Sequence, residues 1–269
     1  LNVSVLIIVH DRPNHLRACL HALALQARPA DQIVVVDDGS PPESATAIRS
    51  IIDASTLPIE LVTRARDTYC PAAARNEAVR HAQHDYLLFY DCDILAFPDA
   101  IEKHLAAAAV GTFMIGNCGY LPAEPSQRFF DSTAWDASTL IHAWSQADLR
   151  LLHRAARSYR RNALLRRIGC ARRHKPRLKG CQFSLYREDF LRVNGFDEAF
   201  TEWGYEDDDL GMRLYMSGLA SRSLISTARA LHLYHPSAQQ PRARHAKPNR
   251  DYFYRKHVAT RCARGILTA

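Results

Sequence analysis

Val3-Ser4-Val5-Leu6-Ile7-Ile8-Val9 is a near-continuous run of apolar, mostly β-branched residues that stops at His10-Asp11-Arg12-Pro13. Such a run reads as a strand buried on both faces, the pattern of a parallel sheet covered by helices. Working outward, the signals alternate. Leu16, Leu20, Leu23 and Ala27 mark one helix face, and Ile33-Val34-Val35-Val36 makes a second strand that ends at Asp37-Asp38-Gly39-Ser40. A helical segment from Glu43 to Ala54 leads to a third strand, Ile59 to Val62. Pro71 opens another helix carrying Arg75 and Asn76, and Tyr86-Leu87-Leu88-Phe89-Tyr90 forms a fourth strand closing on Asp91-Cys92-Asp93. This order predicts an α/β fold with a mostly parallel central sheet flanked by helices. Ligands of open α/β sheets bind at the carboxyl ends of the strands, and three of these strands end in acidic or imidazole groups.

Beyond Pro122 the pattern changes. The stretch to Lys179 holds Trp135 and Trp144 and then, from Arg150, ten Arg and two Lys with no acid, so that the chain's net charge of +7 belongs to this one segment. Leu152, Ala156, Tyr159 and Ala163 make a helical stripe among the arginines. Three readings stay open for it: a solvated face covering a cleft, peripheral contact with an anionic membrane, or binding of an anionic glycan. Nucleic acid is disfavoured, since Tyr159 is the only aromatic interleaved with the charges. After the insertion, Gln182 to Tyr186 alternates as a strand would, a short helix ends at Asn194-Gly195, and a strand-like run from Arg229 to Tyr234 leads to His235-Pro236. The Pro/Arg/His-rich stretch from Ser237 to Arg250 reads as a loop or lid.

With 47% hydrophobic and 23% charged residues, the composition is that of a soluble globular protein. No apolar run approaches the roughly 20 residues that span a bilayer, and the first strand lacks a signal peptide's charged start. Seven cysteines without a Cys-x-x-Cys pair argue against a disulfide framework or zinc knuckle and favour a reducing cytoplasm, including the inner face of its membrane. Because the chain starts at Leu1, an upstream anchor or domain stays open.

The chemistry concentrates in Trp203-Gly204-Tyr205-Glu206-Asp207-Asp208-Asp209-Leu210. Leu210, Leu214 and Gly218 continue it as a helix face with a glycine stop, so the four acids occupy a helix N-terminus. Complementing the helix dipole stabilises by about 0.3–1 kcal/mol per acid, and one or two would suffice. Four together repel one another unless a cation, a proton or a substrate offsets the charge. Asp91-Cys92-Asp93 can converge two carboxylates on a divalent ion or on a diphosphate held through it, although a strand-end turn explains any isolated D-x-D equally well. His232 and His235 flank a strand end and would suit Mn²⁺ or Mg²⁺ beside those aspartates. No Gly-x-Gly-x-x-Gly follows the first strand and no Walker loop is present, which removes the expected support for redox or kinase chemistry.

In combination, Val3 to Arg12, Val35-Val36-Asp37-Asp38-Gly39-Ser40, Ala73-Ala74-Arg75-Asn76 and Phe89-Tyr90-Asp91-Cys92-Asp93 resemble the inverting glycosyltransferases of family 2 with the GT-A fold. From Gly180 to Leu214, with Asn194-Gly195-Phe196 and the Trp-Gly-x-Glu-Asp-Asp-Asp run, the chain is similar to the C-terminal part of β-1,4-galactosyltransferases and bacterial chondroitin polymerases. The resemblance implies a UDP-sugar donor, a glycan or lipid-linked acceptor, Mn²⁺ or Mg²⁺ as cofactor, and transfer of a hexosyl or N-acetylhexosaminyl group. It implies nucleotide contacts from His10, Asp38, Arg75, Asp91 and Cys92, and metal ligation by Asp93 and His235, with His232 as the alternative to the latter. Asp207 would be the general base, and Trp203, Gly204, Glu206 and Asp208 would line the sugar and acceptor site, leaving Asp209 as a helix-stabilising acid. The family's usual Tyr-Asn after the first strand is His10-Asp11 here. The chain then divides into a nucleotide-sugar-binding half (1–121), a helical basic insertion (122–179), an acceptor-binding and catalytic half (180–236) and a C-terminal tail or lid (237–269). The rival readings are a nucleotidyltransferase of similar topology, which should carry a Gly-rich basic loop after the first strand, and a non-catalytic glycan- or membrane-binding module.

Overall fold

In the computed structural model, which describes residues 1–65, 70–132, 134–236 and 247–267, the expected alternation is built from β1 (Val3–Val9), α1 (Pro13–Ala24), β2 (Gln32–Asp38), α2 (Pro42–Asp53), β3 (Ile59–Arg64), α3 (Pro71–His81) and β4 (Tyr86–Asp91). Next come β5 (Ile94–Ala96), α4 (Ala100–Ala107), β6 (Thr112–Ile115) and β7 (Gly119–Tyr120). Three helices fill the insertion: α5 (Ala123–Asp131), α6 (Ala137–Gln146) and α7 (Arg150–Arg167). The rest comprises β8 (Gln182–Tyr186), α8 (Arg187–Arg192), α9 (Glu206–Met216), β9 (Ala220–Ser223), β10 (Ala230–His232) and α10 (Lys247–Phe253).

The main sheet has the order β3-β2-β1-β4-β8-β6-β9. β1 pairs in parallel with β2 and β4, and β2 with β3, while β8 is antiparallel to both β4 and β6. All seven residues of β1 are buried, because helices cover both faces of the sheet. Each such Val, Ile or Leu contributes about 1.5–3 kcal/mol of burial against the entropy of ordering the chain. The small residues Ala72, Ala73 and Ala74 allow α3 to lie close against β1 and β2, which carries Arg75 into the interior. The parallel pairing brings the carboxyl ends of β1, β2 and β4 to one rim, with His10, Asp38 and Asp91 on it.

A second, three-stranded sheet, β5-β10-β7, has no counterpart in the sequence reading. It decides where the histidines go. β10 runs antiparallel to β5 with His232 opposite Ile94, so His232 arrives beside the Asp91-Cys92-Asp93 turn. The backbone N–H of Leu233 then donates to the Asp93 carbonyl at 2.9 Å.

The end of the chain differs from the expected tail. Residues 237–246 of the predicted loop or lid lie outside the described residues, but Lys247–Phe253 is helical and Phe253, Cys262 and Ile266 are buried. The segment is held by the buried Asn194, in left-handed geometry (φ 65°), whose carbonyl and side chain bond Ile266, Leu267 and Cys262.

Candidate active site

The site forms where the rim meets the N-terminus of α9. Trp203, Gly204 and Tyr205 make the approach turn, and Gly204 at φ 112° occupies backbone space that side-chain-bearing residues rarely enter. Tyr205 caps α9 in the left-handed region (φ 70°) and stacks on Phe253 of α10 at 5.1 Å, while Asn249 of α10 donates to the carbonyls of Glu202 and Gly204. Trp203 is left 46% exposed, free to meet a ligand.

The four acids separate into distinct environments. Glu206 is buried; one oxygen accepts from Arg75 Nη1 at 3.1 Å and the other from the Gly204 N–H at 2.8 Å. Burial, and then the charge of Asp207, push its carboxyl up to about 7 against the opposing pull of Arg75. Asp207 is half-buried and accepts from the Gly180 N–H at 2.9 Å and from the Asp208 N–H at 2.8 Å. Asp208 is buried, and Arg177 grips both of its oxygens, the Nε contact being 2.6 Å. Asp209 was expected to be a helix-stabilising first-turn acid. It is wholly buried, bonded to Arg213 at 2.6 Å and to Arg255 at 3.1 Å, because its position on α9 faces the core and demands a paired charge there.

Arg75 links this cluster to the rim. Its Nη2 donates to Asp91 Oδ1 at 2.8 Å while Nη1 holds Glu206, so one buried guanidinium ties a strand end to the helix start. A methyl group placed on Gly180 would meet Arg75 Nη2 at 2.9 Å and Asp207 Cβ at 3.6 Å, which puts Asp207 next to that link.

At the carboxyl ends of β1 and β2, His10 Nδ1 lies 3.0 Å from the Asp38 carbonyl and donates to it, which fixes the tautomer. The Asp38 carboxylate is buried between Arg64 (2.6 Å) and the Cys70 N–H (2.6 Å). Cys92 is the exception on the rim: its side chain is buried in the apolar cluster beneath β1, and burial raises its thiol well above the ordinary range. A contact from this residue to a nucleotide would come from its backbone.

The third group comprises Asp93, His232 and His235, whose ligand atoms all lie within 4.8 Å of one another. His232 Nδ1 donates to the Leu233 carbonyl at 2.7 Å, which leaves its Nε2 lone pair pointing at Asp93 Oδ1, 3.6 Å away. That oxygen is buried and has no hydrogen-bond partner among the described residues. Two acceptors facing each other across a buried gap fit a cation between them, and imidazole plus carboxylate is a donor set for Mn²⁺ or a similar ion. His235 Nε2 approaches the other oxygen of Asp93 at 3.1 Å.

Glycosyl transferase family 2 matches residues 4–167, and the family described as the N-terminal domain of galactosyltransferase matches residues 168–236. The chain belongs to glycosyl transferase family 2. Relatives of this family member include validoxylamine A glucosyltransferase of Streptomyces hygroscopicus subsp. limoneus, 31% identical over 95% of this chain and 56% of that protein. Another is the chondroitin synthase of Escherichia coli, 26% identical over 94% of this chain and 39% of that protein, so the chain spans about half the length of the relatives it matches. Among solved structures, the mannosyltransferase PcManGT from Pyrobaculum calidifontis, in complex with GDP-Man and Mn²⁺, aligns with a TM-score of 0.57 at 19% identity, covering 87% of this chain and 57% of that one. S. aureus TarS 1-349 in complex with UDP-GlcNAc aligns with a TM-score of 0.60 at 16% identity, covering 87% and 59%. The fold is GT-A.

For this family member, sequence reasoning missed Arg12, Arg64, Arg177 and Gly180. Arg177 lies inside the basic run, where nothing local announces a partner 31 residues further on. Gly180 acts through its backbone N–H, which leaves no trace in residue type.

Proposed function

We propose that this chain is a metal-dependent, inverting glycosyltransferase that moves a hexosyl or N-acetylhexosaminyl group from a UDP-sugar to a hydroxyl of a glycan or lipid-linked acceptor, with Asp207 as general base. The observation that carries the reading is the Arg75 link: it ties Glu206, at the start of α9 beside Asp207, to Asp91, two residues before Asp93 of the candidate ion group. Family membership and relatives that include a glucosyltransferase and a chondroitin synthase support it.

Asp93, His232 and His235 would hold the ion, which supplies Lewis-acid neutralisation of the charge that grows on the departing diphosphate. The chain's own residues do the rest. Asp207 accepts the acceptor hydroxyl's proton as that oxygen attacks the anomeric carbon from the face opposite the leaving group, which inverts the centre. The Gly180 N–H pins one carboxylate oxygen of Asp207, restricting the direction of its remaining lone pairs. Trp203 offers an exposed aromatic face for a sugar ring. His10 and Asp38 would receive the base of the nucleotide; Arg75 would contact the donor through its Asp91-bound end; Glu206 and Asp208 would bond hydroxyls through lone pairs left over from Arg75 and Arg177.

On the outer face of α7, Arg150, Arg154, Arg157, Arg160, Arg161 and Arg167 are exposed together with Leu164 and Ile168. That mixture suits an anionic membrane bearing a lipid-linked acceptor, reached from the cytoplasmic side. No helix among the described residues is long and apolar enough to cross a membrane.

The test is a panel of UDP-sugars incubated with Mn²⁺ or Mg²⁺, with UDP release as the readout. Metal-dependent release from at least one donor is expected. Binding of a UDP-sugar with no release from any donor, with acceptor glycans supplied, favours the non-catalytic module and contradicts the proposal.

A further inference from the structure

We propose that Arg12 couples the ion site to the diphosphate: it competes with the ion for the same lone pairs until an anion draws it away. This rests on reading Asp93, His232 and His235 as ion ligands. Arg12 Nη1 donates to Asp93 Oδ2 at 3.0 Å, and Nη2 lies 3.1 Å from His235 Nδ1. A guanidinium has only donors and keeps its charge. His235 Nδ1 is therefore the acceptor, the ring proton sits on Nε2, and Nε2 donates to the same Asp93 oxygen at 3.1 Å. Arg12, His235 and Asp93 thus close a ring of three contacts.

In that ring the one lone pair of the neutral imidazole is already engaged. An ion approaching Nδ1 must displace the guanidinium directly. An ion approaching Nε2 forces the proton onto Nδ1, where two N–H groups would face each other at 3.1 Å. By either route Arg12 has to move as the ion enters, and the like charges of guanidinium and ion push in the same direction.

The place it moves to follows from the rim. Arg12 is 29% exposed at the mouth of the site. Its fork of donors matches phosphate oxygens. Directly after it, α1 begins with no acid in its first turn, so the amide end of that helix also favours an anion over a second cation. A diphosphate gives Arg12 a replacement partner and frees His235 for the ion, so each ligand strengthens the other's binding reciprocally.

The experiment measures Mn²⁺ binding by electron paramagnetic resonance, with and without UDP, for the wild type and Arg12→Met. Arg12→Ala serves as the second variant if the first has a lowered thermal midpoint. Without UDP the variant should bind Mn²⁺ tighter on the order of tenfold, and the tightening produced by UDP should shrink by a similar factor. Mn²⁺ binding without UDP that is no tighter in the variants than in the wild type overturns the proposal while leaving the ion site intact. Absence of Mn²⁺ binding in every protein even with UDP overturns the ion site itself, and this proposal with it.

Discussion

Glu206→Gln isolates a titration that the structure places near neutrality. Glu206 is buried, and its carboxyl is pushed from 4.5 up to about 7, chiefly by burial and then by Asp207. Between those values the native state keeps a proton that the unfolded chain has released, so the native state binds more protons and the free energy of unfolding falls as pH rises. Below about 4.5 both states are protonated, and above about 7 both are ionised, so the effect is confined to that window. At about 1.4 kcal/mol per unit, the full shift is worth up to about 3 kcal/mol, most of it between pH 5 and 8. Glutamine keeps the shape and an acceptor for Arg75 but does not titrate. Urea unfolding of both proteins at pH 5 and pH 8 gives two stability differences, wild type minus variant. The second should be lower than the first by about 2–3 kcal/mol. Differences that agree within about 0.5 kcal/mol would show that Glu206 does not titrate in this range, and the argument from burial would be wrong.

His104 acts in the opposite sense over an overlapping window: burial lowers its ring to about 3, while it donates to Ser184 and accepts from Gln182. Acidification from pH 6.5 should therefore cost the wild type about 1.4 kcal/mol per unit that His104→Gln does not lose, and equal slopes in the two proteins would contradict this. Among the acids of α9, Asp209→Ala leaves the buried Arg213 without its partner and should destabilise by about 3–5 kcal/mol, whereas Asp207→Ala should cost less than about 1.5 kcal/mol. Chemical denaturation of the two variants checks the ranking, and a reversed order refutes the division of the cluster into structural and site acids.

The main sheet was legible because β1, β2 and β4 are buried on both faces and their residues say so without reference to anything distant. The rim followed from the same parallel order, and with it His10, Asp38 and Asp91. The resemblance set His235, with His232 as its alternative, beside Asp93, but the strand pairing that brings them there was not legible. His232 and His235 both meet Asp93 because of the small sheet in which β10 pairs with β5, two short strands separated by more than a hundred residues. Asp209 carried the same local signature as Asp207, and only the packing of α9 against Arg213 and Arg255 distinguishes the buried anchor from the half-buried candidate base. The Arg177 fork on Asp208 shows the same limit, since a basic run reads as a surface until its partner is known.

The most direct test of the account is glycosyl transfer by Asp207→Asn beside the wild type, with the donor found in the UDP-sugar panel and UDP affinity measured in parallel. Asparagine retains an acceptor for the Gly180 N–H and cannot take a proton from the acceptor hydroxyl. The account predicts transfer lowered by about 10²–10⁴-fold with UDP affinity within a few-fold of the wild type. Transfer near the wild-type rate would contradict the assignment of Asp207 as the base.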